Sequence, residues 1–404
     1  MMIILFVTGL YPIDYIEKYK EQSCGSIQNA ANVFQWNIID GLQKNNVDFE
    51  VVSLPFIPAF PFSYKSLFTF KGNIVSQGKK IGEMLRFCDL VIYKTYSMER
   101  QLMEYVEKWV AKQNKGEKLI ILTYTPYVPF MKVAKKIKDK YSDIYIASIV
   151  TDLVDNMNDF PSNRSFFKRI QCLKETYETK RLYKYIDKFI LLSEAMVEKI
   201  PEASGRYIVM EGISKDREWS YVKKNNKLKT LLYSGSLLPF ACIDDLVNAF
   251  QKIDNPSYQL LICGDGVLKS MVIQAANVDS RIKYLGTLPH DEVILLQQQA
   301  TLLINPRKPD CGITRFSFPS KTVEYMTSGT PMLGYKLEGI PSEYYEYFYP
   351  IEGLDEQTLI REIDNTLSLS QEILDKKAKG AFDFVQQNKN SQAQISKILH
   401  FLYE

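Results

Sequence analysis

The chain has 404 residues, 46% of them hydrophobic and 24% charged, the make-up of a soluble globular protein too long for one ordinary core, so two domains are expected. A formal net charge of +3 gives no argument for nucleic acid, and no apolar run approaches the roughly 20 residues of a membrane span. With only His290 and His400 present, a histidine-rich metal site is excluded, as is any mechanism that needs two neighbouring histidines.

The start, Met1 to Thr8, is apolar but short, without a basic lead or a cleavage site, and reads as a first buried strand rather than a signal peptide. Strand-like runs follow at Phe49–Ser53, Asp89–Tyr93, Leu119–Thr123, Ile144–Val150, Lys188–Leu192 and Tyr207–Met210. Helical patterns lie between several of them, at Val33–Leu42, Met98–Lys112, Phe130–Lys140 and Phe167–Tyr185. Such alternation predicts a parallel sheet covered on both faces. A polar run, Ser214 to Glu218 and then Lys223 to Asn226, marks a boundary. The pattern then restarts with strands at Leu228–Tyr233, Gln259–Cys263, Arg281–Leu285 and Thr301–Ile304. Ile243, Leu246, Val247, Phe250 and Ile253 mark one face of a helix, and another helix is expected at Asp291–Gln299. The tail from Gln371 is helical and polar. The expected domains are residues 1–213 and 214–380, with 381–404 as a closing helix packed back on the first. The cysteines Cys24, Cys88, Cys172, Cys242, Cys263 and Cys311 are scattered, with no C-x-x-C pair, and read as free thiols in a reducing compartment.

Ligands of doubly wound sheets bind beyond the carboxyl ends of the strands. Small or polar residues gather there in the second half: Gly235 and Ser236 after its first strand, Gly264 after the second, Gly286 after the third and Arg307 after the fourth. Glycine lets a ligand approach the backbone, and arginine can clamp phosphate oxygens. Each glycine alone is also what an ordinary turn requires.

The stretch from Phe316 to Leu333 reads as a loop, a short helix and a tight exit into a strand. Pro319 suits the first helical position, Gly329 the residue just past the end, and Pro331 stops any continuation. The N–H groups of Ser320 and Lys321 would open toward an anion, and Lys321 shares a helix face with Glu324. Donors and a cation for phosphate, with a carboxylate for ribose hydroxyls, suit a nucleotide. A capped helix with a surface ion pair fits the same residues.

In the first half, Asp152 follows a hydrophobic strand and, taken alone, suits a helix cap or a turn. The loop of Cys24, Gly25 and Ser26 reads as a phosphate-side loop or as one without a ligand. The aromatic, proline-rich segment from Pro55 to Phe70 could stack on sugars, dip into lipid headgroups or fold onto its own sheet. Lysines cluster at Lys132, Lys135, Lys136, Lys138 and Lys140, with Lys168, Arg169, Lys174, Lys180 and Arg181 further on. They suit an anionic membrane or a solvated helix face.

Over nearly its whole length the chain resembles the retaining glycosyltransferases of family 4. The match is carried by Phe318-Pro319-Ser320-Lys321-Thr322-Val323-Glu324-Tyr325-Met326-Thr327-Ser328-Gly329-Thr330-Pro331, and by Asp187 to Glu194 before Glu211-Gly212. The resemblance implies the GT-B fold: α/β, with two Rossmann-like doubly wound parallel-sheet domains facing an interdomain cleft. It puts Glu324 on the glutamate that holds the donor's ribose. It also implies a nucleotide-diphosphate sugar, UDP- or GDP-linked, as donor, a glycan or lipid-linked acceptor, retention of anomeric configuration and no metal. The expected catalytic residues are Arg307, Lys321 and Asp152. The expected donor contacts are Gly235, Ser236, Gly264, Gly286, Phe318, Ser320 and Glu324, with Gly25 and Ser26 as an acceptor/phosphate loop below the donor phosphates. The expected location is cytoplasmic, including the inner face of the membrane. Three departures stand out: Phe316 where the family has a second glutamate, Ser236 and about Ala241 where many members have arginine and lysine, and Thr151 in place of a histidine. The departures motivate a rival reading, a non-catalytic nucleotide-sugar-binding partner of an active transferase. An epimerase is disfavoured by the shortage of histidines and by Phe316.

Overall fold

Alternating apolar strands and amphipathic helices build two α/β units, one of Met1–Met210 with Ser391–Glu404 and one of Glu211–Asn390. The computed structural model describes every residue except 1, 26, 115, 154–165, 217, 220–227 and 311–313, and over 166–172 the helical backbone alone. Cys311 and much of the expected polar linker lie outside the described residues.

In the first unit β1 (Met2–Thr8) is buried from Ile3 onward and forms the middle of an eight-stranded sheet. The elements that follow are α1 (Ile16–Gln22), α2 (Asn29–Lys44), β2 (Asp48–Ser53), β3 (Gly72–Ser76), β4 (Lys79–Met84), α3 (Lys94–Ala111), β5 (Lys118–Tyr124), α4 (Val128–Lys140), β6 (Tyr145–Val150), α5 (Phe166–Leu182), β7 (Lys188–Leu191) and β8 (Tyr207–Val209). Their order is β3-β4-β2-β1-β5-β6-β7-β8, parallel except for β3 against β4. That hairpin was not expected. Its two-residue turn puts Gln77 and Gly78 at φ 50° and 74°, the left-handed pair that suits the twist of the flanking strands.

Asp89–Tyr93, read as a strand, is instead the turn that leads into α3. Its apolar run does not alternate between core and solvent: Ile92 is 90% exposed. Asp89 is fully buried, accepting from the Phe60 N–H at 3.0 Å and lying 2.8 Å from Lys94 Nζ. These ties hold the stretch in a turn.

The second unit contains β9 (Lys229–Ser234), α6 (Ile243–Gln251), β10 (Tyr258–Cys263), α7 (Lys269–Val278), β11 (Ile282–Tyr284), α8 (His290–Gln299), β12 (Leu302–Asn305), α9 (Lys321–Met326), β13 (Met332–Tyr335), β14 (Tyr349–Ile351), α10 (Glu356–Ser368) and α11 (Gln371–Asn388). Its six-stranded sheet is parallel throughout, in the order β11-β10-β9-β12-β13-β14. The helix face read from Ile243, Leu246, Val247, Phe250 and Ile253 is buried in the core of this unit beside Leu231, Leu303 and Leu333.

At the root of this unit a buried ion pair joins its two ends. Lys389 Nζ lies 2.5 Å from Glu211 Oε1, both side chains being 4% exposed or less. Tyr344 donates its hydroxyl to the same Glu211 oxygen at 2.7 Å, and Lys389 also reaches the half-exposed Glu343. Ser214 pairs with Asn390 as parallel strands do, its N–H donating to Lys389 O at 2.7 Å.

The last helix, α12 (Ser391–Tyr403), belongs to the first unit and packs on α2. Its approach is close: a Cβ on Gly41 would lie 2.3 Å from Ile395 Cγ1 and 2.4 Å from Ser391 O. Lys188 and Lys118 donate to the carbonyls of Phe401 and Tyr403, each at 2.8 Å, placing cations at the negative end of the helix dipole. No described helix is long and apolar enough to cross a membrane.

Candidate active site

In the second unit the strand order reverses at β9, which lies between β10 and β12. A ligand crevice in an open α/β sheet forms at such a switch point, beyond the carboxyl ends of the strands. Ser234 and Gly235 end β9 there, and Pro306 and Arg307 follow β12. Tyr325 anchors the short helix α9 from beneath. Tyr325, fully buried, accepts from the Ser234 N–H at 3.0 Å and donates to the Ser234 carbonyl at 3.2 Å. Burial pushes its hydroxyl far above the usual range, so it stays a donor.

With Thr322, Val323, Tyr325 and Met326 turned into the core, Lys321 and Glu324 remain on the outer face of α9. Lys321 Nζ lies 2.9 and 3.2 Å from the two carboxylate oxygens of Glu324. From the inner side, Gln297 of α8 donates its amide to Glu324 Oε1 at 2.6 Å and to Ser234 Oγ at 2.9 Å. The sequence reading found Lys321 and Glu324 from their spacing. It missed Gln297, which reaches the carboxylate only through tertiary packing and is itself held by Ser234.

Arg307 sits where expected, at the carboxyl end of β12. Its Nε donates to Thr314 Oγ1 at 2.7 Å and a terminal nitrogen to Ser317 Oγ at 3.1 Å, with the guanidinium 5.5 Å from the centre of the Phe240 ring. It therefore also fixes the Thr314–Phe316 turn. Phe316 lies on that turn, half-buried, beneath the Arg315 guanidinium.

The glycine loops lie against one another. Gly235 N–H donates to Cys263 O at 3.0 Å, and Gly264 N–H to Gly286 O at 2.9 Å. Gly264 has φ +141°, and a Cβ there would fall 1.7 Å from Gly235 O. The approach of two protein loops thus requires this glycine whether or not a ligand binds. Ser236 is exposed, its carbonyl accepting from the Tyr233 hydroxyl at 2.8 Å. Phe318 is half-buried against Tyr344, with ring centres 5.6 Å apart. Ser320 is exposed and is the N-cap of α9, so the helix starts two residues later than the sequence reading, which gave Pro319 the first helical position. The Pro319 carbonyl accepts from Thr322 N–H at 2.8 Å and closes the first turn. Burial pushes the neighbouring Cys263 thiol up to about 11, which leaves it inert as a nucleophile.

In the first unit a cavity of about 850 Å³ opens beyond the carboxyl ends of β2, β5 and β6. Phe56, Ile92 and Tyr127 form apolar walls, and Lys132, Asp152 and Glu178 the polar lining. Asp152 stands at an accessible rim, yet protein around it raises its carboxyl above the usual range, an effect the Thr151 side-chain bond partly offsets. Gly25 is exposed, with open space around it; Ser26 lies outside the described residues. The aromatic segment is folded onto its own sheet at Phe56, which packs on Tyr124, Tyr127 and Phe130, but presents Phe62 at 81% exposure. The lysines of α4 do not form a free cationic face. Lys132 and Lys136 pair with Glu99, Lys135 with Asp139, Lys138 with Asp187 and Lys140 with Glu107. Lys168 and Arg169 have no described side chains.

Residues 215–380 match the family model of group 1 glycosyl transferases. No curated protein matches the sequence. Among solved structures, sucrose-phosphate synthase from Thermosynechococcus elongatus is similar with a TM-score of 0.64 and 14% identity, the likeness covering 100% of this chain and 99% of that one. The lipopolysaccharide outer core galactosyltransferase WaaB is similar with a TM-score of 0.60 and 13% identity, over 100% and 99% of the two chains. A mutant of S. aureus TarM, in complex with Fondaparinux, alpha-GlcNAc-glycerol and UDP, is similar with a TM-score of 0.58 and 10% identity, over 100% of both chains. The architecture is that of the GT-B glycosyltransferases.

Proposed function

We propose that the protein transfers a sugar from a nucleotide-diphosphate sugar to a hydroxyl of a glycan or lipid-linked acceptor, with retention of configuration and without a metal ion. The observation that carries this is the Lys321–Glu324 pair on α9, set at the β9/β12 switch point inside the segment that matches group 1 glycosyl transferases. In this reading Glu324 accepts from the ribose hydroxyls of a UDP- or GDP-linked donor. Lys321 and Arg307 hold the diphosphate, and Gly235, Ser236, Gly264, Gly286, Phe318 and Ser320 shape the donor pocket. The bond from the anomeric carbon to the diphosphate oxygen breaks as the acceptor hydroxyl forms its bond on the same face. The leaving phosphate oxygen takes the hydroxyl proton. Fixed cations and N–H donors stabilise the charge growing on the diphosphate, the work a divalent ion does elsewhere. Asp152 stands at the rim of the first unit's cavity, where we place the acceptor, and we assign Gly25 and Ser26 to the donor phosphates. The described cysteines Cys24, Cys88, Cys242 and Cys263 form no disulfide with one another, and we assign the protein to the cytoplasm.

Phe316 supports a second reading, a nucleotide-sugar-binding partner without turnover, because the resemblance expects a glutamate at its place on the Thr314–Phe316 turn. A thermal-shift screen against UDP- and GDP-sugars, followed by assay of free nucleotide release, tests both. Binding of one such ligand raises the midpoint of the folded protein. Release of nucleotide supports transfer, binding without release supports the partner reading, and no shift with any nucleotide overturns both.

A further inference from the structure

Gln297 is fully buried, yet its side chain is amide rather than hydrocarbon. Both amide hydrogens are used, one on Ser234 Oγ at 2.9 Å and one on Glu324 Oε1 at 2.6 Å. Its own Oε1 has no hydrogen-bond partner among the described residues. A buried unpaired acceptor is costly, so stability alone would favour an apolar side chain of this size. The opposite amide orientation would set two acceptors face to face at Glu324 and is excluded by the network. The backbone beneath is anchored as well, since Thr330, just past α9, donates its hydroxyl to Gln297 O at 2.6 Å. Gln297 therefore ties the end of β9, helix α8 and the α9 carboxylate into one fixed arrangement.

The two donors on Glu324 are unequal. Lys321 approaches from the outside on a flexible stem, with a third of its side chain exposed, and it is the group a diphosphate would draw away. Gln297 is neutral, buried and unable to follow. Once Lys321 has turned to phosphate, Gln297 still holds Oε1, and Oε2 is left with its lone pairs directed outward. A carboxylate so fixed can accept from two adjacent hydroxyls without first being reoriented.

We infer that Gln297 is a positioning residue that orients the Glu324 carboxylate for a ligand bearing a vicinal diol, and so sets the preference of this site for ribonucleotides over deoxyribonucleotides. The inference rests on Glu324 as the ribose acceptor.

The test is calorimetric binding of UDP and of GDP, each against its 2′-deoxy counterpart, to the full chain and to Gln297→Met. Methionine keeps the length and volume of the side chain while removing both donors. The wild type should prefer the ribose form by about tenfold or more. Gln297→Met should fold, still bind nucleotide, and reduce that preference to within about twofold, because a loosely held carboxylate no longer distinguishes one hydroxyl from two. A merely structural role would weaken both nucleotides equally and leave the ratio alone, and that result overturns the inference. Should Gln297→Met fail to fold, Gln297→Leu, which also lacks any donor, is judged by the same ratio. Glu324→Gln separates the two ideas. If it abolishes the preference while the Gln297 variants keep it, the positioning role fails and the ribose contact stands. If the wild type shows no preference at all, the ribose reading falls and this inference with it.

Discussion

Lys321 and Glu324 neutralise each other across one turn of α9, the ammonium lying 2.9 and 3.2 Å from the two carboxylate oxygens. A nucleotide that uses both residues must therefore replace this pair with two contacts of its own, phosphate on the lysine and hydroxyls on the glutamate. The pair is partly exposed, so little is lost when it opens. Glu324→Gln should weaken nucleotide binding by about 1.5–3 kcal/mol, the worth of a charge-assisted bond. Titration with a 2′,3′-dideoxy nucleotide should give the wild type the same weak affinity. Equal affinity of the wild type for both nucleotides would remove Glu324 from this role. The effect should fall mainly on KM, because the ribose is unchanged by the reaction.

The leaving group gives the complementary result. In the proposed transfer charge grows on the diphosphate as the sugar departs, so contacts to it would act on turnover. Lys321→Ala should lower kcat by about 10²–10³, as when one preorganised donor is lost. Arg307→Ala should do likewise and, because Arg307 also binds Thr314 and Ser317, should loosen that turn as well. The double variant should fall short of the product of the two effects, since both act on one ligand. A folded double variant that turns over at the wild-type rate would end the assignment.

At Asp152 the pH dependence has a definite sign. Desolvation by the protein around this accessible group raises its carboxyl, so the folded value lies above the unfolded value of about 3.9. Ionisation then costs stability above the unfolded value, and protonation as pH falls through the raised folded value removes that cost. Asp152→Asn should therefore leave stability at pH 7 unchanged or slightly higher, with any gain gone below about pH 4. If the carboxylate serves the acceptor, the same variant should lose turnover. A variant that is less stable at neutral pH and fully active would show a structural role instead.

The buried Lys389–Glu211 pair should respond asymmetrically to mutation. Lys389→Met strands a buried carboxylate and should cost about 3–5 kcal/mol in denaturant unfolding. Adding Glu211→Gln should recover much of it, because the Tyr344 hydroxyl can still donate to the amide oxygen. Glu343→Gln touches only a half-exposed partner and should cost less than about 1 kcal/mol. A single Lys389→Met variant no less stable than the double would contradict this account.

Glycines that look alike in sequence should separate on substitution. Gly264→Ala drives a methyl to within 1.7 Å of a backbone oxygen and should destabilise by about 4 kcal/mol or more. Gly286→Ala has no neighbour within 4 Å but φ +75°, so it should cost only the left-handed penalty of about 1–2 kcal/mol. Thermal unfolding of the two variants checks the order.

What the sequence disclosed followed from periodicity. The parallel strands and the Ile243–Phe250 face were legible because burial on both faces of a sheet demands apolar runs, and a helix face repeats every three or four residues. Lys321 and Glu324 were legible because three-residue spacing alone puts them on one face. Asp89–Tyr93 misled because an apolar run resembles a strand until a buried aspartate bends it. The β3–β4 hairpin escaped because its strands are half polar, although Gln77-Gly78 is a turn signal. Gln297 and Tyr325 owe their roles to packing between segments far apart in the chain, and local spacing carries no trace of that.

The pairing of Ser214 with Asn390 has a topological consequence. Because α12 belongs to the first unit, the whole of Glu211–Asn390 is an insertion within that unit's chain. Its two ends run side by side, so to the host the insertion is a closed loop with its mouth already shut. The entropy of closing a long loop is met inside the inserted unit, and the contacts of α12 with α2 need not supply it. Once folded, the inserted unit hands α12 back to the first without a further loop-closure cost.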